Sequence, residues 1–113
     1  MSAITTHVLD TSKGCPAHGI TAILEFKTAE GWTELARGST NTDGRIPDLL
    51  PKDRKIDPGI YRLTFETRAY LEGHHTAGFY PYVPIVFEIR ESEQQYHIPL
   101  LLSPFGYSTY RGS

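Results

Sequence analysis

Two histidines, one arginine and the last four residues carry the chemistry that this 113-residue chain could perform. His7 stands in THVLD and His97 in YHIPL, and imidazole is the side chain that both takes and gives a proton near neutral pH. Arg45 follows NTDG. Its planar guanidinium can clamp carbonyl or anionic oxygens through paired hydrogen bonds. Tyr110, Arg111, Gly112 and Ser113 close the sequence, where chains ordinarily fray, and Ser113 there combines a hydroxyl with a terminal carboxylate. Each feature also has a plain structural reading: an outward histidine on a strand, an arginine beside a loop and a polar tail are all ordinary surface.

Other reactive residues carry weaker signals. No G-x-S-x-G elbow surrounds Ser113, so nothing in the sequence prepares it as a covalent nucleophile. Cys15 lies in KGCPAHG, where a residue before proline serves a bend. His18, His74 and His75 fall in turn-like sequence and read as solvent-exposed. No HxxH or HExxH spacing occurs on a helix, so no metal site and no metal cofactor is expected.

These residues must be held by short strands. Turn signals recur at SKGCPAHG, AEG, NTDG, PKDRKIDPG, EGHH and SPFG. Between them lie ITTHVLD, ITAILEFK, WTELARGST, GIYRLTFET, YVPIVFEIR, YHIPLLL and GYSTYR, rich in β-branched and aromatic residues. That spacing predicts an all-β chain, an antiparallel β-sandwich of two sheets. TRAYLEGHH alone reads as helical, with Thr67 as N-cap and Gly73 as stop, giving one short helix. In NTDGR, Asp43-Gly44 supplies the positive φ of a tight hairpin.

Alternation divides each strand into two faces. Val83, Ile85, Phe87 and Ile89 form one apolar face, and Tyr61, Leu63 and Phe65 another. Tyr96, Ile98, Leu100 and Leu102 point one way, His97, Pro99, Leu101 and Ser103 the other. In the first strand Ile4, Thr6 and Val8 oppose Thr5, His7 and Leu9. Both histidines therefore look away from the core, beside Leu9, Pro99 and Leu101. So apolar an outward face is expected to meet another subunit, in a symmetric homo-oligomer.

Composition limits the alternatives. A net charge of −2 with 39% hydrophobic residues describes one ordinary globular domain, residues 1–113. Without a Lys/Arg stripe, nucleic acid is not an expected partner. One cysteine excludes an intrachain disulfide and a CxxC pair. No apolar run approaches the roughly 18 residues of a membrane span, and the N-terminus has no signal-peptide pattern. No membrane association and a cytoplasmic location are therefore expected.

THVLDTSKGCPAHGI at one end, YHIPLLLSPFGYSTYRGS at the other and NTDGR between them closely resemble the transthyretin-related proteins. The similarity extends through WTELARGST, GIYRLTFET and FYPYVPIVFEI to essentially the whole chain. The resemblance implies a transthyretin-like two-sheet sandwich assembled as a homotetramer, a dimer of dimers, with sites in a channel between dimers. It implies a catalytic set of His7, Arg45, His97 and Ser113, with His7, Arg45, Tyr110, Arg111 and Gly112 binding substrate. The activity implied is hydrolysis of 5-hydroxyisourate, a flat bicycle formed by urate oxidation whose ring amide is opened by water, without a cofactor. An end that takes part in such a site is expected to be ordered. The alternative is a transthyretin-like carrier that holds a small aromatic ligand without turnover, although the hormone carrier lacks the histidine pair and the terminal YRGS.

Overall fold

The computed structural model describes residues 2–113. Among them, β1 (Ile4–Asp10), β2 (Cys15–Pro16), β7 (Tyr96–Ser103) and β8 (Gly106–Thr109) form one sheet in the order β2-β1-β7-β8. The second sheet, β4-β3-β5-β6, contains β3 (Thr21–Thr28), β4 (Gly31–Ser39), β5 (Gly59–Phe65) and β6 (Val83–Ile89). The helix α1 (Thr67–Gly73) connects β5 to β6.

The inward faces are those that alternation predicts. Ile4 and Val8 of β1, Leu63 and Phe65 of β5, Val83 and Ile85 of β6, and Ile98, Leu100 and Leu102 of β7 are all buried. Burying them between two sheets removes most of their apolar surface from water, which is the main force closing the sandwich. Thr5, His7, Leu9, His97 and Leu101 alternate with them and are only half-buried, on the outer side of the β2-β1-β7-β8 sheet.

Three local features differ from expectation. β1 and β7 run parallel, with Thr5 opposite His97 and His7 opposite Pro99. The whole second sheet separates them in sequence, so no hairpin forces them antiparallel. Thr67 does not cap α1: Glu66 holds the cap position without a side-chain bond, and Thr67 is buried with its Oγ1 donating to the Tyr80 carbonyl at 3.2 Å. NTDGR is not a strand-to-strand hairpin but a loop docked on the free edge of β1, as described below.

The helix anchors the end of β1. The Tyr70 hydroxyl donates to Asp10 Oδ2 at 2.7 Å, and Asp10 Oδ1 accepts from Ser12 Oγ at 2.8 Å and from the Ser12 and Lys13 amides at 3.1 and 3.2 Å. Burial pushes the Asp10 carboxyl up, but the bonds from Tyr70, Ser12 and the Lys13 backbone outweigh it and hold the group below its usual value. Burial, with the Asp10 carboxylate beside it, drives the Tyr70 phenol upward. Tyr70→Phe removes a hydrogen bond to a charged group and is expected to lower unfolding free energy at pH 7 by about 1.5–3 kcal/mol. Because a depressed carboxyl stabilises only above its unfolded pKa and loses that contribution as pH falls through the folded one, the difference should shrink below pH ~4. Urea unfolding of both proteins at neutral and acid pH measures it.

Candidate active site

The loop before Arg45 is closed by one asparagine. Asn41 Oδ1 accepts the amides of Asp43 and Arg45 at 2.9 and 3.0 Å, its carbonyl accepts the Gly44 amide at 2.9 Å, and its own amide donates to the Arg45 carbonyl at 2.8 Å. Gly44 has φ +75°, and a Cβ there would collide with the Val8 carbonyl. Glycine is thus required both for its conformation and for the close approach. The Val8 amide donates to the Gly44 carbonyl at 2.8 Å, and Arg45 forms an antiparallel bridge with His7. The loop thereby acts as one more short strand beside β1, and the bridge puts Arg45 directly alongside His7 on the outer face.

The C-terminal residues approach from the opposite side. β8 pairs with β7 from Ser103↔Gly106 to Leu100↔Thr109, and the same register reappears at His97↔Gly112, where the Gly112 amide donates to the His97 carbonyl at 2.8 Å. Pro99 explains the gap. Proline has no amide hydrogen to give, and its carbonyl takes the Thr109 hydroxyl at 2.7 Å. Gly112, expected among the substrate-binding residues, has its α-carbon against the His97 ring, where an added Cβ would run into Cδ2 and stand 3.1 Å from Cγ.

His97 sits between these edges. Its Nδ1 lies 2.8 Å from Thr5 Oγ1, a partner given by the parallel register of β1 and β7. Burial lowers the His97 pKa first, and the charge of Arg45 and then His7 add to it, against a smaller upward pull from the Thr5 backbone. The imidazole is therefore neutral at pH 7 and can accept a proton.

A cleft of about 450 Å³ opens beside it, lined by Thr5, Arg45, Ile46, Pro47, His97 and Ser113 among others. Arg45 is exposed there, and the three ion pairs among the described residues engage Arg37, Arg62 and Arg90 instead. A guanidinium with no carboxylate partner is available for a polar ligand. His7 borders this group through its bridge to Arg45, with its ring leaning over Gly44.

Tyr110 and Arg111 face a neighbouring groove of about 310 Å³ that shares His97 with the cleft. Arg111 stacks over the Tyr96 ring at 4.6 Å and donates to Gln94 Oε1 at 2.8 Å. Of the expected residues, Arg45, His97 and Ser113 thus line one cleft, His7 adjoins it, Gly112 braces a ring within it and Tyr110 and Arg111 flank it. Thr5 was not singled out from sequence; the signal available was that it shares a strand face with His7. Cys15, His18, His74 and His75 are exposed, and none of them lines the cleft. Among the described residues, no group of His, Cys, Asp or Glu side chains gathers as metal ligands do.

The model of the HIUase/Transthyretin family matches residues 4–112. A 5-hydroxyisourate hydrolase of Mus musculus is 48% identical over 114 residues, covering 99% of this chain and 96% of its own. The solved structure of a Klebsiella pneumoniae 5-hydroxyisourate hydrolase superposes with a TM-score of 0.84 at 35% identity, over 97% of this chain and 98% of that one. Sea bream transthyretin in complex with thyroxine superposes with a TM-score of 0.91 at 34% identity, over 98% and 95% of the two chains. No helix among the described residues is long and apolar enough to cross a membrane.

Proposed function

The chain belongs to the HIUase/Transthyretin family, and from that premise we propose that it is a hydrolase opening the ring amide of 5-hydroxyisourate in urate degradation. The observation that carries this reading is the pairing in one cleft of half-buried His97, whose surroundings favour the neutral imidazole, with exposed Arg45, which has no ion-pair partner among the described residues. A passive site for an apolar ligand gains little from such groups, which would have to be desolvated without being hydrogen-bonded.

The reaction needs an activated water, stabilisation of charge growing on the carbonyl oxygen, and a proton for the departing nitrogen. His97 takes one proton from water as its oxygen bonds to the ring carbonyl carbon. Arg45 donates hydrogen bonds to the resulting oxyanion. As the carbon–nitrogen bond breaks, the proton held by His97 returns to the nitrogen, directly or through His7, so that water is the sole species added. Ser113 holds the attacking water. Tyr110 and Arg111 close the flank beyond His97. Both steps are proton and charge chemistry that these side chains supply without a cofactor.

One domain spanning the chain, a homotetramer built as a dimer of dimers and a cytoplasmic location complete the proposal. Half-buried Leu9 and Leu101, opposite each other on β1 and β7 and on the same outer face as His7 and His97, support assembly through this face, because apolar side chains clustered outward are ordinarily covered. Generating 5-hydroxyisourate with urate oxidase and following its decay spectroscopically tests the activity. Decay is expected to accelerate in proportion to added protein. Saturable binding of thyroxine or another small aromatic, with decay unchanged, would instead establish a carrier.

A further inference from the structure

The His97 ring is held from both sides by groups that need not touch substrate. Thr5 Oγ1 meets Nδ1 at 2.8 Å on the β1 side, and the Gly112 α-carbon occupies the space beside Cδ2 on the β8 side. With Nδ1 turned to one strand and Cδ2 to the other, the far edge of the ring, which carries Nε2, points away from the sheet. An imidazole that serves as a base must also have the right tautomer, and that is set by the bond its other nitrogen makes. We propose that Thr5 and Gly112 are positioning residues that clamp His97 with its proton on Nδ1, donated to the Thr5 hydroxyl, and its Nε2 lone pair presented to the cleft.

The clamp gives each residue a chemical reason to stand where it does. A hydroxyl at position 5 can accept from Nδ1–H, whereas valine, of nearly the same shape and strand preference, cannot. Glycine at 112 lets the backbone reach the His97 carbonyl without a side chain pushing the ring aside. Arg45 and His7 face the imidazole from the β1 side and Ser113 shares its cleft, while Glu88, Tyr110 and Arg111 line the groove on its other side. These groups are unchanged in a Thr5 variant, so a change in His97 titration reports on the hydroxyl.

The inference rests on the hydrolase reading for its kinetic consequence but not for its geometry, and two measurements on the full chain separate them. Long-range ¹H–¹⁵N spectra at neutral pH are expected to show the wild-type His97 signal as the Nδ1-protonated tautomer. Thr5→Val is expected to shift that population toward Nε2–H and to move the His97 titration to lower pH, since the imidazolium loses an acceptor. It should also lower kcat on 5-hydroxyisourate about tenfold with KM little altered, less than the roughly 10²–10⁴-fold worth of the general base itself because the base is misoriented rather than removed. Thr5→Ser should restore both. Gly112→Ala is expected to lower kcat comparably and to shift the His97 ring resonances, with Tm near that of wild type. A wild-type signal dominated by Nε2–H, or Thr5→Val leaving tautomer and titration unchanged, overturns the clamp. Inactive wild-type protein with the expected tautomer would instead leave the clamp standing and remove the hydrolase reading.

Discussion

Replacing His97 by alanine is expected to lower kcat for 5-hydroxyisourate by about 10²–10⁴-fold, the usual worth of a positioned general base. Folding should survive the change, because His97 is only half-buried and its removal frees the Thr5 hydroxyl to bond water. The pH dependence supplies a second, independent sign. Burial, Arg45 and His7 together lower the His97 pKa, so wild-type kcat/KM should hold as pH falls to about 6.5, the unperturbed value, and decline only below it. Stability follows the same group. A histidine depressed on folding is protonated more readily in the unfolded chain, so wild-type protein loses stability as pH falls from the unfolded pKa to the folded one, and His97→Ala lacks that slope. Rates by stopped flow and urea midpoints between pH 4 and 8 check both. A variant that kept more than about a tenth of wild-type turnover would lie outside the range for a general base and exclude His97 from that role.

How much of this could be read before the structure depended on which forces act locally. Alternation assigned Tyr61, Leu63 and Phe65 to the core and put His7 and His97 on outer faces, because the two-residue period of a strand is a property of the backbone itself. Gly73 ended the helix where expected. The register of β1 against β7 was not legible, since strands separated by most of the chain find each other through packing. Thr5 was hidden for that reason: its hydroxyl has no motif, and it becomes a partner of His97 only when the two strands lie parallel. Thr67 illustrates the converse. Its sequence context suits an N-cap, but a carbonyl 13 residues away competed for the hydroxyl and won. Gly112 entered through the resemblance alone, and its approach to the His97 ring was not legible because it depends on how the end of the chain pairs with β7. Arg45 was expected at a hairpin; Asp-Gly did supply the turn, but Asn41 folded the segment back on itself and offered its edge to β1.

Arg45→Ala is expected to reduce kcat by about 10²–10³-fold, the cost of removing one oxyanion donor. The guanidinium is assigned to charge that appears only as water adds to the carbonyl, so kcat and kcat/KM should fall together while KM changes little. Arg45→Lys retains the charge but not the planar fork, and should recover only part of the loss. The two variants differ further in what they do to His97. Arg45 is the largest charge holding down the His97 pKa. Alanine at that position should therefore move the acid limb of kcat/KM upward toward pH ~6.5, where an unperturbed imidazole titrates, whereas lysine should leave it near the wild-type position. A simple structural role for Arg45 predicts a different pattern, in which the alanine variant loses thermal stability and its rate falls only as far as its folded population does. The backbone bridge between His7 and Arg45 does not depend on the guanidinium, so the loop should stay docked on β1. The loss in rate then reflects the missing charge and hydrogen bonds at the reacting carbonyl, and the displaced limb reflects the same charge acting on the base beside it.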